Sequence, residues 1–434
     1  MSVIPLHARL SSIHPFTSTA EEYDTVFVAA ANEMSGKYFG PLSTKDFLDY
    51  YLPETKDLPN MPLFQTKASE TDMYGDMIAA LQPFCGDIVL LDTHAHEDPD
   101  SGVFLGRRIK PDISFYDKSN MPASGDNPTN AKTMLGFMEF KNNPDDEPFS
   151  ADGTTDFERD VAKARDTRGQ IAVYNTSISA SQFRTRVFSV FINKSTCRLM
   201  CAARCGTFVT ESFHYTKDPS LATFFWRLSH SSPETRGIDT TCTRVTGTSV
   251  EIAEARQALD LSVTAPLYKV SVVDEVSAEP SYYLVSDPFT TSHHSHTGRC
   301  SRCFRAYDLK RKRVVLLKDN WRVLGYDAEG KTYRDLNLKK IQNIPQLVTA
   351  GDVLQSPGWK CGDEPFLEDQ QRRVHYHYRL VLDTVGHSLD HFKSTWGLVN
   401  AILDAMIAHQ EAFQADRLHR DISVGNIIIT DAGC

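Results

Sequence analysis

The sequence predicts an α+β protein of two modules. The first is a mixed α/β sheet domain, and the second opens on strands and closes on a long helix and a loop. Three observations predict it. The 434 residues exceed one typical domain. Strand-like and helix-like runs alternate in both halves. Between the halves, 231–264 is rich in Ser, Thr and charge and reads as a junction. The expected division is a helical extension over 1–65, an α/β domain over 66–250 and the second module over 265–434.

In the first module, EEYDTVFVAAANEM and STKDFLDYYL carry helical periodicity, with Ser43 or Thr44 as the cap of the second. Three prolines in Leu52–Pro62 break the pattern. An amphipathic helix is expected from Ser69, followed by three strands within DIVLLDTHA, RIKPDISFYD and TMLGFMEFK. The stretch TTDFERDVAKARDTRGQIAVYNTSISASQ predicts one long helix. RVFSVFI and CRLMCAA flank Asn193-Lys194-Ser195-Thr196 as a hairpin, GTFVTESFHY adds a strand, and DPSLATFFWRLSH a helix. SVEIAEARQALDL is a helix at the junction, and PLYKVSVVD and SYYLVSDPF open the second module as strands.

Composition narrows the function classes. Hydrophobic content of 41% and charged content of 24% are ordinary for a globular protein. A net charge of −10 opposes bulk attraction to nucleic acid, which is not expected as a partner. No apolar run reaches 18 residues, so no membrane span is expected. MSVIPLHARLSSIH lacks a basic segment followed by an apolar core, so no secretory signal is expected. Nine cysteines without a disulfide-like framework suit a reducing compartment, the cytoplasm or nucleus.

The chemistry concentrates near the C-terminus. His419-Arg420-Asp421 followed by Asn426 fits the pattern H-R-D-x-x-x-x-N of phosphoryl-transfer loops. In that loop the Asp accepts the proton of the attacking hydroxyl, and the Asn holds a Mg²⁺ that neutralises the transferring group. Ile427–Ile429 reads as the strand that pins the loop. Upstream, RKRVVLLKD ends an apolar run on Lys318, where a strand lysine would meet the nucleotide phosphates of ATP. AEGKTYRDLNLKKI reads as the next helix, with Glu329 as the partner of Lys318. TGRCSRCFRAYD holds Gly298 where a glycine-rich phosphate loop is expected, with one glycine in place of three. RLVLDTVGHSLDHF reads as a strand into a hinge, and TWGLVNAILDAMIAHQEAFQADRL as the helix before the loop.

HRDISVGNI, VVLLKDNW, GRCSRCFRAYD and EGKTYRDLNLKKIQNIPQL together resemble the fungal-type protein kinase family, over roughly residues 70–434. The resemblance implies a Ser/Thr protein kinase fold, a small lobe plus the beginning of a helical lobe. It also implies ATP and Mg²⁺ as cofactors and a protein substrate. It casts Lys318 and Glu329 as the ATP-positioning pair, Asp421 as the base beside Arg420, and Asn426 as a metal ligand. No D-F-G-like aspartate follows before Cys434, because Asp431 lies too close to Asn426 and reads as a turn residue. Phosphoryl transfer by the chain is therefore expected to be impaired. A non-catalytic binding or scaffold protein is the alternative.

A second constellation lies upstream. Asp112 follows a proline, and Glu139 and Lys141 alternate onto one face of a strand. This P-D…E-x-K spacing resembles the restriction-endonuclease-like fold, in which two carboxylates hold Mg²⁺ and a lysine stabilises or activates the attacking water. Gln170 and Tyr174 fall on the next helix, where that fold carries accessory polar residues. The acidic stretch Asp145–Glu147 opposes a nucleic-acid backbone, and cleavage is not expected. His293, His294, His296, Cys300 and Cys303 imitate a zinc pattern, but they coincide with the expected phosphate loop.

Overall fold

The computed structural model describes residues 21–57, 59–60, 64, 70–102, 106–151, 156–290, 295–354, 358–368, 371, 373–419 and 422–430. The chain divides into two compact units. The first comprises Met1–Thr240, Thr291–Cys300 and Gln355–His375. The second comprises Thr241–Thr290, Ser301–Leu354 and Tyr376–Cys434.

In the first unit the helices are α1 (Glu21–Met34), α2 (Thr44–Tyr51), α3 (Glu70–Leu81), α4 (Ala162–Ser181) and α5 (Ser220–Ser229). The strands are β1 (Tyr38–Leu42), β2 (Ile88–Asp92), β3 (Ile113–Asp117), β4 (Met134–Lys141), β5 (Val187–Asn193), β6 (Thr196–Ala202), β7 (Thr207–Thr210) and β8 (Phe213–His214). They form one sheet in the order β1-β7-β6-β5-β4-β3-β2, with β8 on β6. β4 and β5 run parallel because helix α4 carries the chain back between them. β2, β3 and β4 form an antiparallel meander.

Both faces of the central strands are covered, so β4 reads as an almost continuous apolar run. On one face Phe137, Phe191, Met200 and Val209 pack with Ile171 and Tyr174 of α4. On the other, Phe224 and Phe225 of α5 meet Phe188 and Phe115, with ring centroids 6.0 and 5.5 Å apart. α1 lies against α4 at Gly169, where an added Cβ would stand 2.1 Å from the Phe27 carbonyl oxygen. Of the two caps the sequence offers, Ser43 is the one that caps α2, accepting from the Asp46 N–H.

The long helix expected from Thr154 begins only at Ala162. The residues before it are held in extended form: Glu158 bridges Phe149, and Phe157 stacks on Phe149 at 4.8 Å. GTFVTESFHY splits into β7 and β8.

The second unit contains β9 (Cys242–Arg244), α6 (Val250–Ala258), β10 (Tyr268–Val273), β11 (Pro280–Val285), β12 (Arg302–Asp308), β13 (Arg313–Val323), α7 (Glu329–Leu338), β14 (Leu347–Asp352), β15 (His375–Leu382), β16 (His387–Ser388), α8 (Thr395–Gln414) and β17 (Ile428–Ile429). The main sheet runs β14-β15-β13-β12-β11-β10-β9. α6 closes a cluster of Ala255, Leu259, Leu267, Leu284 and Tyr307. Tyr333 of α7 and Ala328 just before it pack on Ala350, Tyr378, Leu380 and Leu382. β13 runs five residues past Lys318, further than its apolar run predicts, and β14 carries no clear strand signal in the sequence. α8 buries Ala401, Ala408 and Ala412 and exposes Trp396 and Met406. Among the described residues no helix is long and apolar enough to cross a membrane.

Candidate functional site

In the second unit the sequence places a lysine on a strand and a glutamate at the start of the next helix. The fold brings them together. The Lys318 ammonium donates to both carboxylate oxygens of Glu329, at 2.9 and 2.8 Å. Both side chains are half-buried, which screens the pair less than a surface bridge. Glu329 is the first residue of α7, where the helix dipole favours a negative charge. Gly330 beside it lets the helix approach the sheet: its N–H donates to Tyr378 Oη at 3.1 Å, and an added Cβ would lie 2.5 Å from Ala350 Cβ. Cys303 pairs with Lys318 across β12 and β13, and burial pushes its thiol up to about 11.

Alternation along β13 turns Asp319 away from Lys318. Asp319 is buried, 2% exposed. It accepts from Arg379 Nε at 3.0 Å, lies 3.1 Å from His377 Nε2 and pairs with Arg302 at 3.5 Å. Burial by itself would raise this carboxyl. His377, Arg302 and Arg379 more than reverse that and hold it well below the usual carboxylate range. His377 stacks on Trp321 with ring centroids 4.9 Å apart. Sequence reasoning missed this network. Its signal was an aspartate and an asparagine standing among apolar strand residues directly after Lys318.

Asn426 ends a short 3₁₀ turn, Val424–Asn426. Its N–H donates to the Ser423 carbonyl at 3.0 Å and its Nδ2 to Ser423 Oγ at 3.2 Å. The strand that follows is real: β17 pairs with β16 through His387↔Ile429 and Ser388↔Ile428. Asp421, Arg420 and Asp431 lie outside the described residues, as do His293 and His294. Gly298 is grouped with the first unit, where its N–H donates to the Arg204 carbonyl at 2.8 Å. Nearby, the buried His296 ring sits 2.9 Å from Thr207 Oγ1, and burial lowers its pKa to about 3.

In the first unit, Asp112 lies against the end of β4 that carries Glu139 and Lys141. Asp112 Oδ2 accepts from the Phe140 N–H at 2.8 Å and Oδ1 from the Tyr74 hydroxyl at 2.9 Å. Phe140 points to the Tyr74 side, so Glu139 and Lys141 share the opposite face. Lys141 Nζ pairs with Glu139 at 2.5 Å, and Glu139 is 2% exposed. Burial pushes the Asp112 carboxyl up, opposed by the Phe140 N–H, Lys141, Tyr74 and His94. The Gln170 side-chain amide donates to Tyr174 Oη at 2.9 Å, and that hydroxyl donates to the Lys110 carbonyl.

The chain matches the sequence model of the family described as fungal protein kinase over residues 110–359 and 360–433. Among solved structures it is similar to a ROP18 kinase domain in complex with AMP-PNP and sucrose, at 13% identity and a TM-score of 0.27. That likeness covers 38% of this chain and 53% of the other, so the chain spans about half the length of that structure. No curated protein matches. The family match runs over most of the chain, on both sides of the Lys318–Glu329 pair, and the chain belongs to the fungal protein kinase family.

Proposed function

We propose that the second unit binds ATP and transfers its γ-phosphoryl group to a protein Ser or Thr hydroxyl. The observation that carries this reading is the two-point ion pair between Lys318 and Glu329 across strand and helix. Glu329 holds the ammonium at a fixed place, where it meets the α- and β-phosphates. Asn426 is the metal ligand of the reading, Asp421 takes the proton of the attacking hydroxyl, and Arg420 stands beside it in the same loop. Mg²⁺, when bound, supplies neutralisation of the charge on the transferring group.

The test is calorimetric titration of the full chain with ATP and Mg²⁺, paired with a phosphate-transfer assay. Lys318→Met is expected to weaken ATP binding at least about tenfold, as loss of a charged hydrogen bond of about 1.5–3 kcal/mol implies. Asp421→Asn is expected to keep binding and lose transfer. Equal ATP binding by the wild type and Lys318→Met sinks the proposal. Binding without transfer in the wild type favours a scaffold of the same fold.

One observation favours a second reading, for the first unit: Lys141 pairs with Glu139 on β4, and the N–H of Phe140 between them donates to Asp112. In this reading Asp112 and Glu139 hold a divalent cation and Lys141 meets a phosphodiester, which is hydrolysed by addition of water across its P–O bond. The acidic stretch speaks against it less than the sequence implies, because Glu147 is neutralised by Arg198 at 2.7 Å. Mn²⁺-dependent cleavage of an oligonucleotide, abolished by Asp112→Asn and by Lys141→Met, is the expected result. Cleavage that survives either change removes the reading.

A further inference from the structure

A groove of about 470 Å³ opens in the first unit, lined among others by Arg159, Asn193, Lys194, Thr196, Arg198 and Glu147. That volume falls in the range of small-ligand sites. Strand register fixes where it lies. Glu139, Phe191 and Arg198 are neighbours across β4, β5 and β6, and so are Lys141, Asn193 and Thr196. Registered neighbours share a face, so the groove opens on the face that carries Glu139 and Lys141, directly beside Lys141. The Lys194 N–H also donates to the Lys141 carbonyl at 3.0 Å.

Two features of the groove call for a ligand. Asn193 is 6% exposed; its Nδ2 donates to the Asn143 carbonyl at 3.0 Å, while its buried Oδ1 has no partner. A buried acceptor left in this state is destabilising, and a hydroxyl or amine donor would satisfy it. The charge is lopsided as well. Among the described lining residues, Arg159, Lys194 and Arg198 stand against the carboxylate of Glu147. Arg198 is held by Glu147 and by the Thr210, Phe149 and Ser150 carbonyls, and Arg159 by the Pro144 and Glu147 carbonyls. Lys194, exposed at the tip of the β5–β6 hairpin, is the cation placed to meet an anion.

We infer that this groove seats the nucleotide unit next to the phosphodiester handled by Asp112, Glu139 and Lys141. Lys194 takes the phosphate of that unit, and Asn193 Oδ1 accepts from its sugar hydroxyl or base amine. The inference rests on the second reading above and names its substrate class, a polynucleotide.

The experiment separates the two. Metal-free binding of deoxythymidine 3′,5′-bisphosphate to the full chain, in chelator, uses the groove without the cation. Asn193→Leu is expected to weaken it about tenfold, as one buried hydrogen bond implies, and Lys194→Glu at least as much. Lys132→Glu, a distant surface change, is expected to leave it unaltered. Because Asn193→Leu can disturb folding, protection of Lys194 from acetylation by the same probe is read on the wild type. Binding unaffected by Lys194→Glu, or no protection of Lys194, overturns the inference. Metal-free binding at the groove without Mn²⁺-dependent cleavage supports the groove and sinks the hydrolytic reading alone.

Discussion

Asp319→Asn is the sharpest perturbation of the second unit. It keeps the shape of the side chain and removes a carboxylate that Arg379, Arg302 and His377 share. Arg379 is fully buried and Arg302 is 5% exposed, so water cannot replace the lost charge. Arg379 keeps its bonds to Thr241 Oγ1 and the Ser271 carbonyl, at 2.7 and 2.8 Å, which are neutral acceptors. Removing one partner of a buried pair costs about 3–5 kcal/mol, because the surviving charges stay buried and lose that partner. At about 2–4 °C per kcal/mol for a domain of this size, the unit should melt roughly 6–20 °C lower. Urea unfolding followed by the fluorescence of Trp321, which stacks on His377, reads the change where it occurs. A loss below about 1 kcal/mol would refute the reasoning that this carboxylate is what compensates the buried cations. The double change Asp319→Asn with Arg379→Met should recover part of the loss, since the uncompensated charge goes with it.

The same network gives a pH dependence. A carboxyl held below its unfolded value contributes stability above about pH 4, lost as pH falls through its folded value. Acid melting of the second unit should therefore be steeper in the wild type than in Asp319→Asn, as differential scanning calorimetry between pH 7 and 3 can check. Gly330→Ala should cost about 1–3 kcal/mol and weaken ATP binding, because its Cβ would meet Tyr378 Oη at 2.4 Å and push Glu329 away from Lys318; unchanged ATP affinity would separate helix position from the ion pair. Ser394→Ala should lower stability by about 1 kcal/mol, since Ser394 Oγ accepts from the Gly397 N–H at 3.0 Å at the start of α8. Circular dichroism melts resolve that difference.

Much of the molecule is written in local pattern. The amphipathic run after Ser69, the alternating runs of β2 to β4 and the Ser43 cap are set by short-range forces, and each appears near its predicted place. The Lys318–Glu329 pair was legible for a related reason: a strand and the helix that follows it are neighbours, so an 11-residue separation in sequence becomes a 2.8 Å contact. Alternation puts Glu139 and Lys141 on one face of β4, and the pairing of β3 with β4 brings Asp112 to the backbone between them.

Long-range packing decided the rest. α4 starts later than its periodicity predicts because Phe149 holds Phe157 and Glu158 in a bridge and a ring stack that helical backbone would break. Gly298 reads as a phosphate-loop glycine, yet the Arg204 carbonyl claims its N–H. Asp319 with Arg379, and Asn193 with Lys141, depend on which strands lie side by side in the sheet. The sequence by itself determined most element types and the family, and it placed Lys318 and Glu329 in neighbouring elements, because periodicity and spacing are local. Only the tertiary structure decided which buried charges share one aspartate and which face of the first sheet carries a groove, because register between strands distant in sequence is set by the packing of the whole unit.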